Sequence, residues 1–122
     1  MKIARLSELT KEPVDNNPIF TGTQVYRQLI VQPEESQSFN FSVVAFSAGS
    51  RNKFHAHTSD QILIVTEGTG VVATEQEERT VTAGDVVLIP AGESHWHGAP
   101  GETAMSHITV QVKGGTTKQI EP

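Results

Sequence analysis

The 122-residue chain carries five histidines, all between His55 and His107, and four of them form two His-x-His pairs, His55/His57 and His95/His97. Residues i and i+2 of an extended strand project to the same side, so each pair can present two imidazoles to one face of a sheet. Neutral imidazole is the commonest protein ligand for transition metals. The chain has no cysteine, which excludes thiolate zinc sites, disulfides and thiol nucleophiles; any metal must be held by nitrogen and oxygen. The pattern therefore points to a metal centre carried on strands.

The elements that must position those rings read as strands. Helical periodicity is almost absent. Short runs rich in Val, Ile, Thr and Phe recur at 23–31, 38–47, 52–57, 61–66, 70–74, 79–82, 86–89 and 103–112. Turn residues separate them, among them Ala48-Gly49-Ser50, Gly68-Thr69-Gly70, Ala83-Gly84-Asp85 and Pro90-Ala91-Gly92. This is the pattern of an all-β sandwich or barrel. Ser7 to Glu12 can form one helical turn, and the polar tail from Lys113 reads as mobile or as an exchanged edge strand. With no repeat, low-complexity tract or linker, the length predicts one domain over 1–122, large enough to bury a core without staples. The net charge of −5, without a Lys/Arg cluster, argues against nucleic-acid binding. Met1 to Thr10 has no continuous apolar core of signal-peptide length, and no run approaches the ~20 apolar residues of a membrane helix. A soluble cytoplasmic protein is the expectation.

The histidine pairs sit inside a longer pattern. Gly49, five residues, His55-x-His57, three residues, Gln61, six residues, Gly68 makes one block. Gly84, five residues, Pro90-x-Gly92, two residues, His95 makes the next. These blocks resemble the double motif of the cupin superfamily, and the resemblance spans Gly49 to Gly98, with residues 1–20 and 113–122 as peripheral arms. It implies a cupin-type jelly-roll β-barrel with His55, His57, Gln61 and His95 as ligands of one divalent ion. Two positions depart from the family pattern: Gln61 stands where a Glu is usual, and Ala99 where an Asn is usual. An amide oxygen is a poorer ligand than a carboxylate, so a three-histidine site with Gln61 only hydrogen-bonded nearby is the alternative. If Gln61 coordinates, every protein ligand is neutral, which tilts the chemistry toward polarising a hydroxyl or carbonyl and away from redox cycling.

Beyond those four residues, His97 shares a face with His95. His107 shares one with Met105 and Thr109, opposite Ala104, Ile108 and Val110. A histidine there can accept a proton from a metal-bound hydroxyl. The string from His95 to Ala99, followed by Thr103 to His107, is similar to a bacterial group of small manganese cupins that includes hydroxynitrile lyases and carboxymuconolactone-decarboxylase-associated cupins. That similarity implies Mn2+ in preference to Fe2+, Ni2+ or Zn2+. It also implies His107 as base with His97 assisting, and Asn52 at a substrate-positioning site held by a threonine in the lyases. By alternation Trp96 packs away from His95 and His97. The expected activity is non-redox lyase or isomerase chemistry on a small hydroxy or carbonyl compound. A metal-dependent dioxygenase, a barrel that binds a small ligand without turnover, and a purely structural metal are the alternatives. A homodimer or homotetramer formed through edge strands completes the expectation.

Overall fold

The computed structural model describes residues 1–122, and twelve strands dominate it. They are β1 (Glu12–Pro13), β2 (Phe20–Gly22), β3 (Val25–Leu29), β4 (Phe39–Phe46), β5 (Ser50–Asn52), β6 (His55–His57), β7 (Gln61–Thr74), β8 (Glu78–Thr82), β9 (Val86–Ile89), β10 (His95–Ala99), β11 (Met105–Val112) and β12 (Thr117–Gln119). Every pairing is antiparallel. One sheet runs β1-β3-β4-β11-β7-β9. The other is built on β10, which pairs with β7 along one side and with β5 and β6 along the other; β8, β2 and β12 extend it. Only β7 belongs to both, its first half in one sheet and its second half in the other. This is a jelly-roll barrel. The sole helical element is a 3-10 turn at Leu6–Glu8, where Gln28 Nε2 donates to the carbonyls of Leu6 and Leu9. No helix is long and apolar enough to cross a membrane.

The register of the first sheet sorts its inner face into rungs. Val25, Phe46, Met105 and Gly68 face one another across β3, β4, β11 and β7. The next rung is Arg27, Val44, His107 and Val65, followed by Leu29, Ser42, Thr109 and Leu63. Val25, Phe46 and Met105 belong to the apolar cluster that closes one end of the barrel, with Val44, Val65, Val81 and Ala99. Along β11 the inward residues pass from Met105 through His107 and Thr109 to Gln111, from apolar plug to polar mouth. Strand alternation therefore sends Ile108, Val110 and Val112 to the outer face, where Ile62 and Leu88 pair beside them.

The residues between the expected runs hold the main differences. Gly68-Thr69-Gly70 is no turn: β7 runs through it for 14 residues. A Cβ at Gly68 would lie 1.9 Å from the Ala104 carbonyl oxygen, and one at Gly70 would lie 2.4 Å from that of Gly98. The glycines allow close backbone approach where β7 crosses between sheets. A bulge beside them, where Ser106 opposes Glu67 but His107 opposes Val65, adds the bend. The expected 52–57 run is two strands separated by Lys53 and Phe54. β10, which holds no β-branched run although its histidine pair reads as extended, is buried along its whole length. The tail, expected to be mobile or exchanged, is paired within the chain: β12 lies on β6, and Glu121 ion-pairs with Arg51 at 2.9 Å. Gly68→Ala, strained at φ +73° and clashing with Ala104, is expected to cost about 2–4 kcal/mol in denaturant unfolding; a loss below ~0.5 kcal/mol would show that the approach is not tight.

Candidate metal centre

His55 and His95 are directly opposed on the antiparallel β6 and β10, so His57 and His97, two residues on in each strand, lie on the same inner face but to opposite sides of that pair. Ring centroids are 4.3 Å apart for His55 and His95, 4.8 Å for His55 and His57, and 5.3 Å for His57 and His95. The first histidine of each His-x-His pair is anchored in the same way. His55 Nδ1 donates to the Lys53 carbonyl at 2.6 Å, and His95 Nδ1 donates to the Glu93 carbonyl at 2.9 Å. A carbonyl only accepts, so the hydrogen must reside on Nδ1 and each Nε2 keeps its lone pair. His57 Nδ1 is 2.8 Å from Thr117 Oγ1, because Thr117 of β12 stands opposite His57. Its other nitrogen, Nε2, is buried and has no hydrogen-bond partner.

Gln61 opens β7 at the same level. Its Nε2 donates to Thr109 Oγ1 at 2.9 Å, which turns Oε1 toward His95 Nε2 at 3.1 Å. Both of those atoms are acceptors. Two lone pairs facing each other at this distance suit a shared cation, since adjacent ligands about 2.1 Å from an octahedral ion stand about 3.0 Å apart. One nitrogen each from His55, His95 and His97 also lies within 4.8 Å of the others. This three-histidine group is compatible with a divalent metal ion.

His97 is engaged differently from the other three. The Asn52 amide clasps it, Oδ1 accepting from the His97 backbone N–H at 2.7 Å and Nδ2 reaching its ring, 3.2 Å from Nε2. His97 Nδ1 is 3.1 Å from His107 Nε2. Phe46 packs against both rings, with centroids 5.8 and 5.7 Å away, so the plug of the barrel forms the floor of this pair. His95 and His107 are entirely shielded from solvent. Burial is the largest cause of the shifts that hold His55, His57, His95 and His107 at about 4; it pushes His97 well below the ordinary histidine range as well. At neutral pH all five rings are uncharged.

A cavity of about 370 Å³ opens over these groups. His55, His57, Gln61, His97 and His107 line it, as does Asn52, whose amide is committed to His97. His95 lies behind the wall and meets the cavity through Gln61 and His55. Trp96 points the other way and is buried with the Arg51 guanidinium 4.6 Å above its ring. The cupin domain model matches residues 42–111, more than half of the chain. This chain belongs to the cupin family.

The cupin is 40% identical over 95 residues to a Granulicella tundricola protein named (R)-mandelonitrile lyase, covering 77% of this chain and 72% of the relative. A cupin-like protein from Thermotoga maritima superposes with a TM-score of 0.83 at 30% identity, covering 93% of this chain and 88% of its own. A polyketide cyclase from Streptomyces resistomycificus shares the fold alone, with a TM-score of 0.87 at 16% identity over 100% of this chain and 87% of its own.

Four contributors to the cupin's site were not singled out in the sequence: Thr117 behind His57, the carbonyls of Lys53 and Glu93, and Thr109 behind Gln61. Only Thr109, on the inward face with His107, was within reach of alternation. The depressed histidines also set a pH dependence. Between their unfolded value near 6.5 and the native value of about 4, the unfolded chain binds protons that the native chain does not. The melting temperature of metal-free protein is therefore expected to fall steadily from pH 7 toward pH 4, with roughly two or more protons taken up on unfolding near pH 5. A flat profile would mean that the rings are hydrated.

Proposed function

We propose that this cupin is a metal-dependent lyase that cleaves a small hydroxy compound of the cyanohydrin type. In this reading His55, His57, Gln61 and His95 hold one divalent ion, Mn2+ by preference, and His107 is the base. The observation that carries it is the buried, uncharged His97–His107 pair beside a donor set that contains no carboxylate. Identity of 40% to a protein named (R)-mandelonitrile lyase agrees with it.

The choice of ligands is supported by what each nitrogen is doing. The Nε2 atoms of His55 and His95 keep free lone pairs, and that of His57 is buried without a partner. The ring nitrogens of His97 are occupied by Asn52 and His107, which favours His97 as a positioning residue. A divalent ion so held supplies a Lewis acid that acidifies a substrate hydroxyl, and neutral donors leave its charge undiminished.

The remaining work falls to the chain. His107 accepts the hydroxyl proton at Nδ1, which is buried without a partner, while its Nε2–H donates to His97 Nδ1 3.1 Å away and so fixes the ring. The bond to the nitrile carbon breaks, its electron pair leaves with cyanide, and the carbonyl forms. Burial makes the resulting imidazolium a strong acid, so it returns the proton to cyanide, releasing an aldehyde and hydrogen cyanide. No electron acceptor is needed. Asn52 acts through His97, holding both its backbone and its ring.

We also propose that two copies pair. Phe39, Ile62, Val86, Leu88 and Val112 are exposed on the outer face of the first sheet, and Ile62 with Leu88 and Phe39 with Val112 are direct cross-strand neighbours. An apolar face of this kind favours self-association. It lies on the sheet face, so edge strands need not carry the contact.

His107→Ala is expected to lower cyanide release from mandelonitrile by about 10²–10⁴-fold while elemental analysis finds the metal retained. The wild-type rate should be the same without oxygen; turnover that stops anaerobically and consumes oxygen would replace the lyase with a dioxygenase. In sedimentation, wild-type protein is expected as a dimer or tetramer and Leu88→Glu as a monomer. A monomeric wild type would remove the proposed interface.

A further inference from the structure

The charge on the cavity wall is unbalanced. Of the 14 Asp and Glu residues in the chain none lines the cavity, and its only charged lining residue is Arg27. The histidines around it are neutral, so the wall is positive in a protein whose net charge is −5. A divalent ion at the centre would add to that sign.

Arg27 is the one exposed residue of its rung. Its neighbours across the inner face are Val44, His107 and Val65, and the residue two before it, Val25, belongs to the apolar plug. It stands two strands from His107, about 10 Å between Cα atoms at ordinary strand spacing, with only the small Val44 between them. Its guanidinium makes no hydrogen bond or ion pair within the chain; the three ion pairs present use other residues. Glu12, opposite Arg27 on β1, and Asp15 both line a separate outer cavity with it, but neither carboxylate lines the inner one. The amide side chains of Asn17, Gln111 and Gln119 line the inner cavity with it.

We propose that Arg27 selects the substrate: it binds the carboxylate of a small organic acid whose hydroxyl or carbonyl oxygen reaches the histidine centre a few carbons away. The oxygen end of this assignment rests on the lyase reading; the carboxylate end rests on Arg27 alone. A planar guanidinium matches a carboxylate with two parallel N–H···O bonds, and the wall offers no competing anion.

The test uses the full chain loaded with Mn2+ and a matched pair of aldehydes, benzaldehyde and 4-formylbenzoate, titrated calorimetrically. Wild-type protein is expected to bind the carboxylate-bearing aldehyde about 10- to 100-fold more tightly than benzaldehyde. Arg27→Gln should abolish that preference and leave benzaldehyde affinity unchanged, while Arg27→Lys keeps part of it. Equal affinity for the two aldehydes in wild type, a preference that survives Arg27→Gln, or no binding of either aldehyde at millimolar concentration overturns the assignment. Cyanide release is measured separately. Lyase turnover without the preference defeats only Arg27, and the preference without turnover defeats only the lyase.

Discussion

Withdrawal of five imidazoles from water is the constraint around which this molecule is organised. A buried ring cannot readily carry charge, and each of its nitrogens needs a partner or loses the hydrogen bond that water supplied. The barrel meets most of that demand with its own backbone and amides: the carbonyls of Lys53 and Glu93, the hydroxyl of Thr117, the amide of Asn52, and one ring against another. Three buried side-chain atoms are left without a partner, the Nε2 of His57, the Nδ1 of His107 and the Ser94 hydroxyl, and the first lies beside the facing acceptors of His95 and Gln61. A cation there would satisfy His57, His95 and Gln61 together.

The rungs of the first sheet explain how such a polar interior is tolerated. Hydrophobic burial is concentrated at the end closed by Val25, Phe46, Val81 and Met105, leaving the other end free to hold donors and acceptors. His107 sits at the border, one rung from Met105 and against the Phe46 ring. Its low basicity follows from that position. A strand that alternated apolar and polar residues without this gradient would either fill the cavity or leave the plug wet.

Much of this was legible in the residues, for reasons that are local. The spacing from Gly49 to His95 placed the histidines and Gln61 on strands, and period-two alternation put His107 and Thr109 inside with Ile108 and Val110 outside, as the register has them. The failures are non-local. Gly68 and Gly70 read as a turn because glycine usually marks one, yet their role is to admit the carbonyls of Ala104 and Gly98. The segment His95–Ala99 lacks the β-branched residues that signal a strand and is one because it is buried between β7 and the β5–β6 pair. Neither Arg27 nor Thr117 stands out in its own stretch, since each matters through strands distant in sequence.

The pairing of β12 with β6 orders events during synthesis. His55, His57, Gln61 and His95 are all made before residue 100, but the hydroxyl that steadies His57 comes from Thr117, 60 positions after it. Until that segment has docked on β6, His57 has nothing behind its Nδ1. A divalent ion arriving before then would meet a loosely held ring. A tag or fusion that pulls Thr117–Gln119 away from β6 would return the finished molecule to that immature condition.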